Sequence, residues 1–141
     1  MKDVFKTPSR LRRLMAYVYE SFPVIAILFL AGGIGVAING GEAVPSGSLG
    51  FQAYLLAWIA AYFLICWTYG GQTAGMRAWR LHIVPTDGQP LTFGRMALRF
   101  TVALLGWLPL GLGHLWLLFD PYRRGAHDIV ARTQVVEEYK E

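Results

Sequence analysis

FQAYLLAWIAAYFLICWTY, residues 51–69, holds nineteen successive residues without a lysine, arginine, aspartate or glutamate. A helix needs about 20 mainly apolar residues to cross the roughly 30 Å hydrocarbon core of a bilayer. Two further stretches have the same character, SFPVIAILFLAGGIGVAI at 21–38 and FTVALLGWLPLGLGHLWLLF at 100–119. Helix is the expected form, because lipid cannot satisfy the backbone groups of an open strand. The sequence therefore predicts an all-α membrane protein, a small bundle of about three transmembrane helices.

The composition agrees with a bilayer environment. Of the 141 residues, 55% are hydrophobic and only 16% are charged, and the mean hydropathy is +0.39. A soluble domain averages about 25% charged residues, and disordered chains are poor in apolar residues. Both of those classes are therefore excluded. The lone Cys66 can form neither an intrachain disulfide nor a cysteine-based metal cluster.

A cleaved signal peptide is the alternative interpretation of the first apolar stretch, since basic residues precede it. The stretch is longer than the usual apolar region of about 7–15 residues, and no Ala-x-Ala site follows it. Two more apolar stretches also follow. We therefore expect a retained transmembrane helix.

Lysine and arginine lie on one side of the predicted spans. The loop at 39–50 has none, whereas the N-terminal tail and the segment 70–99 carry several. They are Lys2, Lys6, Arg10, Arg12, Arg13, Arg77, Arg80, Arg95 and Arg99. Because cytoplasmic segments of membrane proteins are rich in these residues, the N-terminus and 70–99 are expected inside and 39–50 outside. Basic residues placed beside apolar spans favour contact with anionic lipid headgroups over nucleic acid.

The third apolar stretch allows two topologies. Pro109, Gly111 and Gly113 interrupt it near its centre. One kinked span would place the C-terminal segment outside, whereas a re-entrant hairpin would return it to the inside, although two passes of ten residues are each only about 15 Å long. The basic residues that follow the stretch favour the inside. They are Arg123, Arg124, Arg132 and Lys140.

The segment between the second and third stretches predicts an extended element. Residues 79–84 alternate polar and apolar side chains, as a strand does, and 85–88 supply a turn. Thr92 is a suitable N-cap for a helix that begins near Phe93. Residues 133–136 are a second strand candidate that could pair with the first, with a turn or disorder as the alternative. We therefore predict a short cytoplasmic β-hairpin-like segment beside the helices.

Four motifs, in order along the chain, carry a family resemblance. They are RLMAYVYE at 13–20, GGQTAGMR at 70–77, DGQPL at 87–91 with Arg95 and LRF at 98–100, and FDPYRRGAHD at 119–128 with TQVV at 133–136. With the apolar spans between them, the chain resembles the RDD family of small bacterial integral membrane proteins, named for one Arg and two Asp. The resemblance implies an inner-membrane location and an RDD-like transmembrane domain at 14–136, between a basic cytoplasmic tail at 1–13 and a polar tail at 137–141.

The same resemblance implies a set of charged site residues, Arg13, Glu20 and Asp128. Position 20 carries Glu where the family pattern has Asp, so the carboxylate is kept with one more methylene. Arg13 and Glu20 face the same side of a helix but lie about 10 Å apart along its axis, so each is expected to meet a partner elsewhere. Glu20 could bind a proton or cation or pair with an Arg at the interface, and Asp128 could cap a short helix or pair with Arg13. Secondary candidates are Arg99, His114 and His127.

The resemblance points to transport of an ion or small solute, which about three spans would perform as an oligomer. Small residues at spacing four, such as Ala53, Ala57 and Ala61, favour close helix packing within the chain or between copies. A membrane scaffold or accessory subunit without transport of its own is the alternative. No catalytic, metal-binding or nucleotide-binding pattern is present, so we predict no enzyme activity, no metal and no cofactor. The expected partners are the bilayer with its anionic headgroups and either a second copy or another membrane protein.

Overall fold

In the computed structural model, which describes residues 4–106, 118–120 and 125–139, two long helices dominate the chain. Helix α1 is Arg10–Ile38 and α2 is Leu49–Gly70. Each begins at a serine whose hydroxyl accepts a backbone N–H of the first turn, Ser9 in α1 and Ser48 in α2. Helix α2 ends at Gly71, whose φ of +65° is the left-handed cap conformation that glycine adopts without strain. Both helices are long and apolar enough to cross a membrane, and almost none of their apolar windows is buried.

The first two predicted spans are therefore confirmed as helices, and α1 begins at Arg10, so that it includes Arg13 and Glu20 as well as the apolar span that starts at Ser21. The two helices contact through small residues. An added Cβ on Gly35 would lie 2.6 Å from a ring carbon of Phe51, and the Tyr54 hydroxyl donates to the Ala31 carbonyl at 3.0 Å. Such close approach is typical of helices that pack in lipid.

A third transmembrane helix is not confirmed. Helix α4, Phe93–Leu105, begins where the sequence predicts, and the Thr92 hydroxyl accepts the Arg95 N–H at 3.3 Å. Residues 107–117, which contain the predicted kink and His114, lie outside the described residues. Within the part of the chain that the structure describes, two helices qualify as membrane spans.

A three-stranded antiparallel sheet lies beside the helices. Its strands are β1, Val4–Lys6, β2, Leu81–Pro85, and β3, Thr133–Tyr139, in the order β1-β3-β2. The two predicted strands pair with each other, with Ile83 opposite Val135.

The sheet corrects two sequence predictions. The domain is not all-α, and β2 and β3 form no hairpin, because α4 and a short helix near the C-terminus separate them along the chain. Residues from both predicted tails take part in the sheet, where Lys6 pairs with Glu137. Strand β1 has only three residues, too few for a periodic pattern, and its partner lies at the far end of the sequence.

Two short helices complete the fold, α3, Ala74–Ala78, and α5, Ala126–Val130. We call the sheet, α3, α5 and the N-terminal parts of α1 and α4 the polar lobe, and residues 21–38 with α2 the helix pair. A small core at the junction holds the lobe together, formed by Ala16, Trp67, Leu81, Ile83, Met96 and Val135. Because β1 pairs with β3, the N-terminal and C-terminal segments lie at the same end of α1.

Candidate functional site

Two arginines share one buried aspartate where α1, α4 and α5 meet. Nη2 of Arg13 lies 3.0 Å from one carboxylate oxygen of Asp128, and Nη1 of Arg99 donates to the other. All three side chains are buried, Asp128 completely. We call Arg13, Arg99 and Asp128 the charge cluster. It fastens three elements that are far apart in sequence.

Local structure places Asp128 for this role. Helix α5 begins after Gly125, and the carboxylate accepts the Gly125 N–H at 2.9 Å. Thr133, the first residue of β3, also holds Arg99 in place, because its hydroxyl oxygen accepts a hydrogen bond from Nη1 of Arg99 at 3.3 Å. Asp128 thus both caps a short helix and pairs with Arg13, which were the two alternatives the sequence left open.

The charges around Asp128 favour its ionised form. Burial alone raises the pKa of the Asp128 carboxyl, but the neighbouring charges of Arg99, His127 and Arg13 outweigh that effect. The pKa therefore lies well below the ordinary value. His127 is itself buried, with Nε2 3.8 Å from the carboxylate.

Aromatic rings support both guanidiniums. Nη2 of Arg13 donates to the Tyr17 hydroxyl at 3.3 Å. The guanidinium carbon of Arg99 lies 4.7 Å from the centre of the Trp67 ring, within cation–π range. The cluster is therefore held from α2 as well.

Glu20 lies apart from the charge cluster. One of its oxygens, Oε2, accepts the Thr73 hydroxyl and, at 3.0 Å, the Gly75 N–H. Thr73 is the N-cap of α3, so the carboxylate ties α3 to α1. The other oxygen, Oε1, is buried and makes no hydrogen bond with any described residue. No described Lys, Arg or His lies within 4.0 Å of Glu20.

A cavity of about 420 Å³ opens between α1, α2 and α4, next to the polar lobe. Its walls in the helix pair are apolar, for example Val24, Leu56 and Ile59. Polar side chains stand at the lobe end, namely Arg13, Tyr17, Glu20, Thr73, Arg99 and His127. The charged groups of the site thus border a cavity whose other walls are apolar.

The structure brings together some of the residues that the sequence singled out. Arg13, Asp128 and Arg99 are in contact, with His127 beside them, whereas Glu20 bonds elsewhere and His114 lies outside the described residues. The sequence did not identify Thr73 and Gly75 as the partners of Glu20. Thr73 is a residue type favoured at the N-cap, and that signal could have pointed to α3. Nothing in the sequence pattern predicts the stacking of Arg99 on Trp67.

Arg95 forms a second, more exposed set of hydrogen bonds between segments that are distant in sequence. Its guanidinium lies 3.0 Å from Oδ1 of Asp87, and the Gln89 N–H, together with Arg95, lowers the pKa of that carboxyl. The same side chain donates to four backbone carbonyls, those of Ala131, Gln89, Pro90 and Arg132. Arg95 thereby joins the turn before α4 to the turn before β3.

Comparison with known proteins gives one result. The family model described as the RDD family matches residues 7–132, most of the chain. No curated protein and no solved structure matches this chain. The matched range spans the charge cluster, Glu20, α3 and both long helices.

Proposed function

The chain belongs to the RDD family, and on that premise we propose a multi-pass protein of the bacterial inner membrane that transports an ion or small solute as an oligomer. The observation that carries this proposal is the cavity of about 420 Å³ with buried Glu20 at its polar end. Ionisable groups within membrane helices commonly mark pathways for ions and substrates.

The surface of the helix pair supports the membrane location. Large apolar side chains on α1 point outward, with Phe22 68% and Phe29 79% exposed. In water such surface would be costly at about 25 cal/mol per Å², whereas lipid accommodates it. The lysines and arginines near the N-terminus support a cytoplasmic polar lobe.

Glu20 is the residue we assign to ion coupling. Its Oε2 is held by two donors and its Oε1 has no hydrogen bond among the described residues. A buried acceptor without a partner is unfavourable, and a proton or a cation would supply one. Because Glu20 holds α3 against α1, binding there would act directly on the position of α3.

The test is flux in proteoliposomes that carry the purified protein. Glu20→Gln removes the charge but keeps a carbonyl oxygen for Thr73 and Gly75, so we expect the fold to persist and proton- or cation-coupled flux to fall sharply. Glu42→Gln, in the exposed loop between α1 and α2, is the matched control and should leave flux unchanged. Unchanged flux in a well-folded Glu20→Gln protein would exclude this role of the carboxylate.

A membrane scaffold or accessory subunit is the second candidate, and one observation favours it. Ala53, Ala57 and Ala61 form an exposed stripe on α2, which would let a helix of another protein approach closely. Crosslinking in native membranes followed by mass spectrometry separates the two. A stable heterologous partner at this stripe, together with no flux, would favour the scaffold; crosslinks between copies of this chain, with flux, would favour the transporter.

A further inference from the structure

The polar end of the cavity holds hydrogen-bond donors without partners. Nε of Arg99 and Nε1 of Trp67 are buried and make no hydrogen bond with any described residue. Both side chains line the cavity, and the guanidinium carbon of Arg99 lies 4.7 Å from the centre of the Trp67 ring, so the two side chains are neighbours. Buried polar groups are normally satisfied, and an exception calls for a partner.

The type of unpartnered group at this end favours an anion. Arg13 and Arg99 both line the cavity, whereas Asp128, which compensates them, is completely buried and does not. Glu20 also borders the cavity, but Thr73 and Gly75 already draw its Oε2 towards α3. Asp128 and Glu20 formally balance the two arginines, but both unpartnered groups are N–H donors and one belongs to a guanidinium, which forms charge-assisted hydrogen bonds with an anionic oxygen.

The remainder of the chamber is apolar and of ligand size. Val24, Leu56, Ile59 and Leu104 line it from three helices. A volume of about 420 Å³ is at the small end of the range for ligand pockets, and it is enough for roughly a dozen non-hydrogen atoms or more.

We propose that the cavity binds a single-chain amphiphile whose anionic head, a carboxylate or a phosphate, meets Arg99 and Trp67 while its apolar chain lies between α1, α2 and α4. This inference rests on the proposed transport role and names the class of solute. Glu20, which lines the same cavity, then serves as the coupling group.

Photolabelling tests the proposal on the full-length protein in phosphatidylcholine nanodiscs. The probe is decanoate that carries a diazirine near the end of its chain, and labelled residues are located by mass spectrometry. We expect labels on cavity residues such as Ile59 and Leu104 rather than on the outward-facing Phe29. Decanoate and decyl phosphate should displace the probe at concentrations about tenfold or more below those of decanol, since a charge-assisted hydrogen bond is worth about that much.

Two variants separate cavity binding from partition into lipid. Ala103→Phe fills the cavity and should abolish specific labelling, whereas Ala57→Phe, the same change on an exposed face of α2, should not. Trp67→Phe keeps the ring beneath Arg99 but removes one donor, so the preference for decanoate over decanol should shrink. The thermal melting temperature shows that each variant is folded.

The outcomes distinguish this inference from the proposed function. Equal displacement by decanol, stronger displacement by decylammonium, or labelling that survives Ala103→Phe would overturn the anionic site. Specific labelling without any Glu20-dependent flux would keep the site and overturn cation coupling. Glu20-dependent flux without specific labelling would keep cation coupling and overturn the anionic site.

Discussion

The N-terminal part of α1 belongs to the polar lobe and the remainder belongs to the helix pair, and different interactions stabilise these two regions. In the first, Arg13 and Glu20 are buried and bonded to segments far away in sequence. In the second, Phe22, Ile25 and Phe29 are exposed, and the close contacts with α2 involve small residues. The polar lobe is thus specified by pairs of charges and hydrogen bonds, whereas the helix pair is specified by shape and by its lipid surroundings. Substitutions of the same size should therefore have very different effects in the two regions.

The largest effect should come from the centre of the charge cluster. Asp128→Asn leaves Arg13 and Arg99 buried without their common carboxylate, and removing one partner of a buried ion pair costs about 3–5 kcal/mol. We expect a large fall in thermal stability in detergent, measured by circular dichroism. Asp87→Asn, which removes a more exposed carboxylate from Arg95, is the control and should have a much smaller effect. Equal losses for the two variants would remove the distinction between lobe and surface.

The next largest effect should come from the contact between α1 and α3. An added Cβ on Gly75 would lie 2.6 Å from the Ala16 carbonyl oxygen and 2.8 Å from the Glu20 backbone nitrogen. Backbone atoms cannot move aside easily, so Gly75→Ala should destabilise the protein by about 1–3 kcal/mol. Gly94→Ala, in a helix with open space around the added Cβ, should be neutral or slightly stabilising. A neutral Gly75→Ala would mean that α3 is not held tightly on α1.

A smaller effect is expected in the helix pair. An added Cβ on Gly35 meets a ring carbon of Phe51, which is a side chain that can rotate, so Gly35→Ala should cost about 1 kcal/mol, at the low end for overpacking. Gly33→Ala, with open space, is the control on the same helix. Adding Phe51→Leu should recover the loss in a double-mutant cycle. A loss as large as that of Gly75→Ala would show that the helix pair is specified as strictly as the lobe.

The smallest effect concerns pH. A carboxyl whose pKa is lower in the folded chain than in the unfolded chain contributes stability above its unfolded pKa, about 3.9 for Asp, and loses it as the pH falls further towards the folded pKa. The difference in melting temperature between the natural protein and Asp128→Asn should therefore not shrink between about pH 7 and pH 5, where protonation of the neighbouring His127 can only enlarge it, and should shrink only below about pH 4. Shrinkage already between pH 7 and pH 5 would contradict the lowered pKa of Asp128.

The sequence predicts the helix pair better than the polar lobe, for a physical reason. Apolar runs such as 51–69 can be recognised one at a time, because the bilayer sets the length and the composition of each helix that crosses it. The N-cap Thr92 is local as well, and it was predicted correctly. The pairing of β1 with β3 and the bond of Glu20 to Thr73 depend on residues that are distant along the chain, and no local pattern encodes them. The family resemblance supplied Arg13 and Asp128, and the structure shows that Arg99, a secondary candidate, is the second partner of Asp128.

The central claim is that both chain ends form one lobe on one face of the membrane, with the loop between α1 and α2 on the other. Cysteine accessibility tests it directly, in a Cys66→Ser background with Thr7→Cys, Ser46→Cys or Val130→Cys introduced one at a time. A membrane-impermeant maleimide applied to inverted inner-membrane vesicles should label positions 7 and 130 but not 46, and right-side-out vesicles should give the reverse. Labelling of positions 7 and 130 from opposite faces would contradict the lobe.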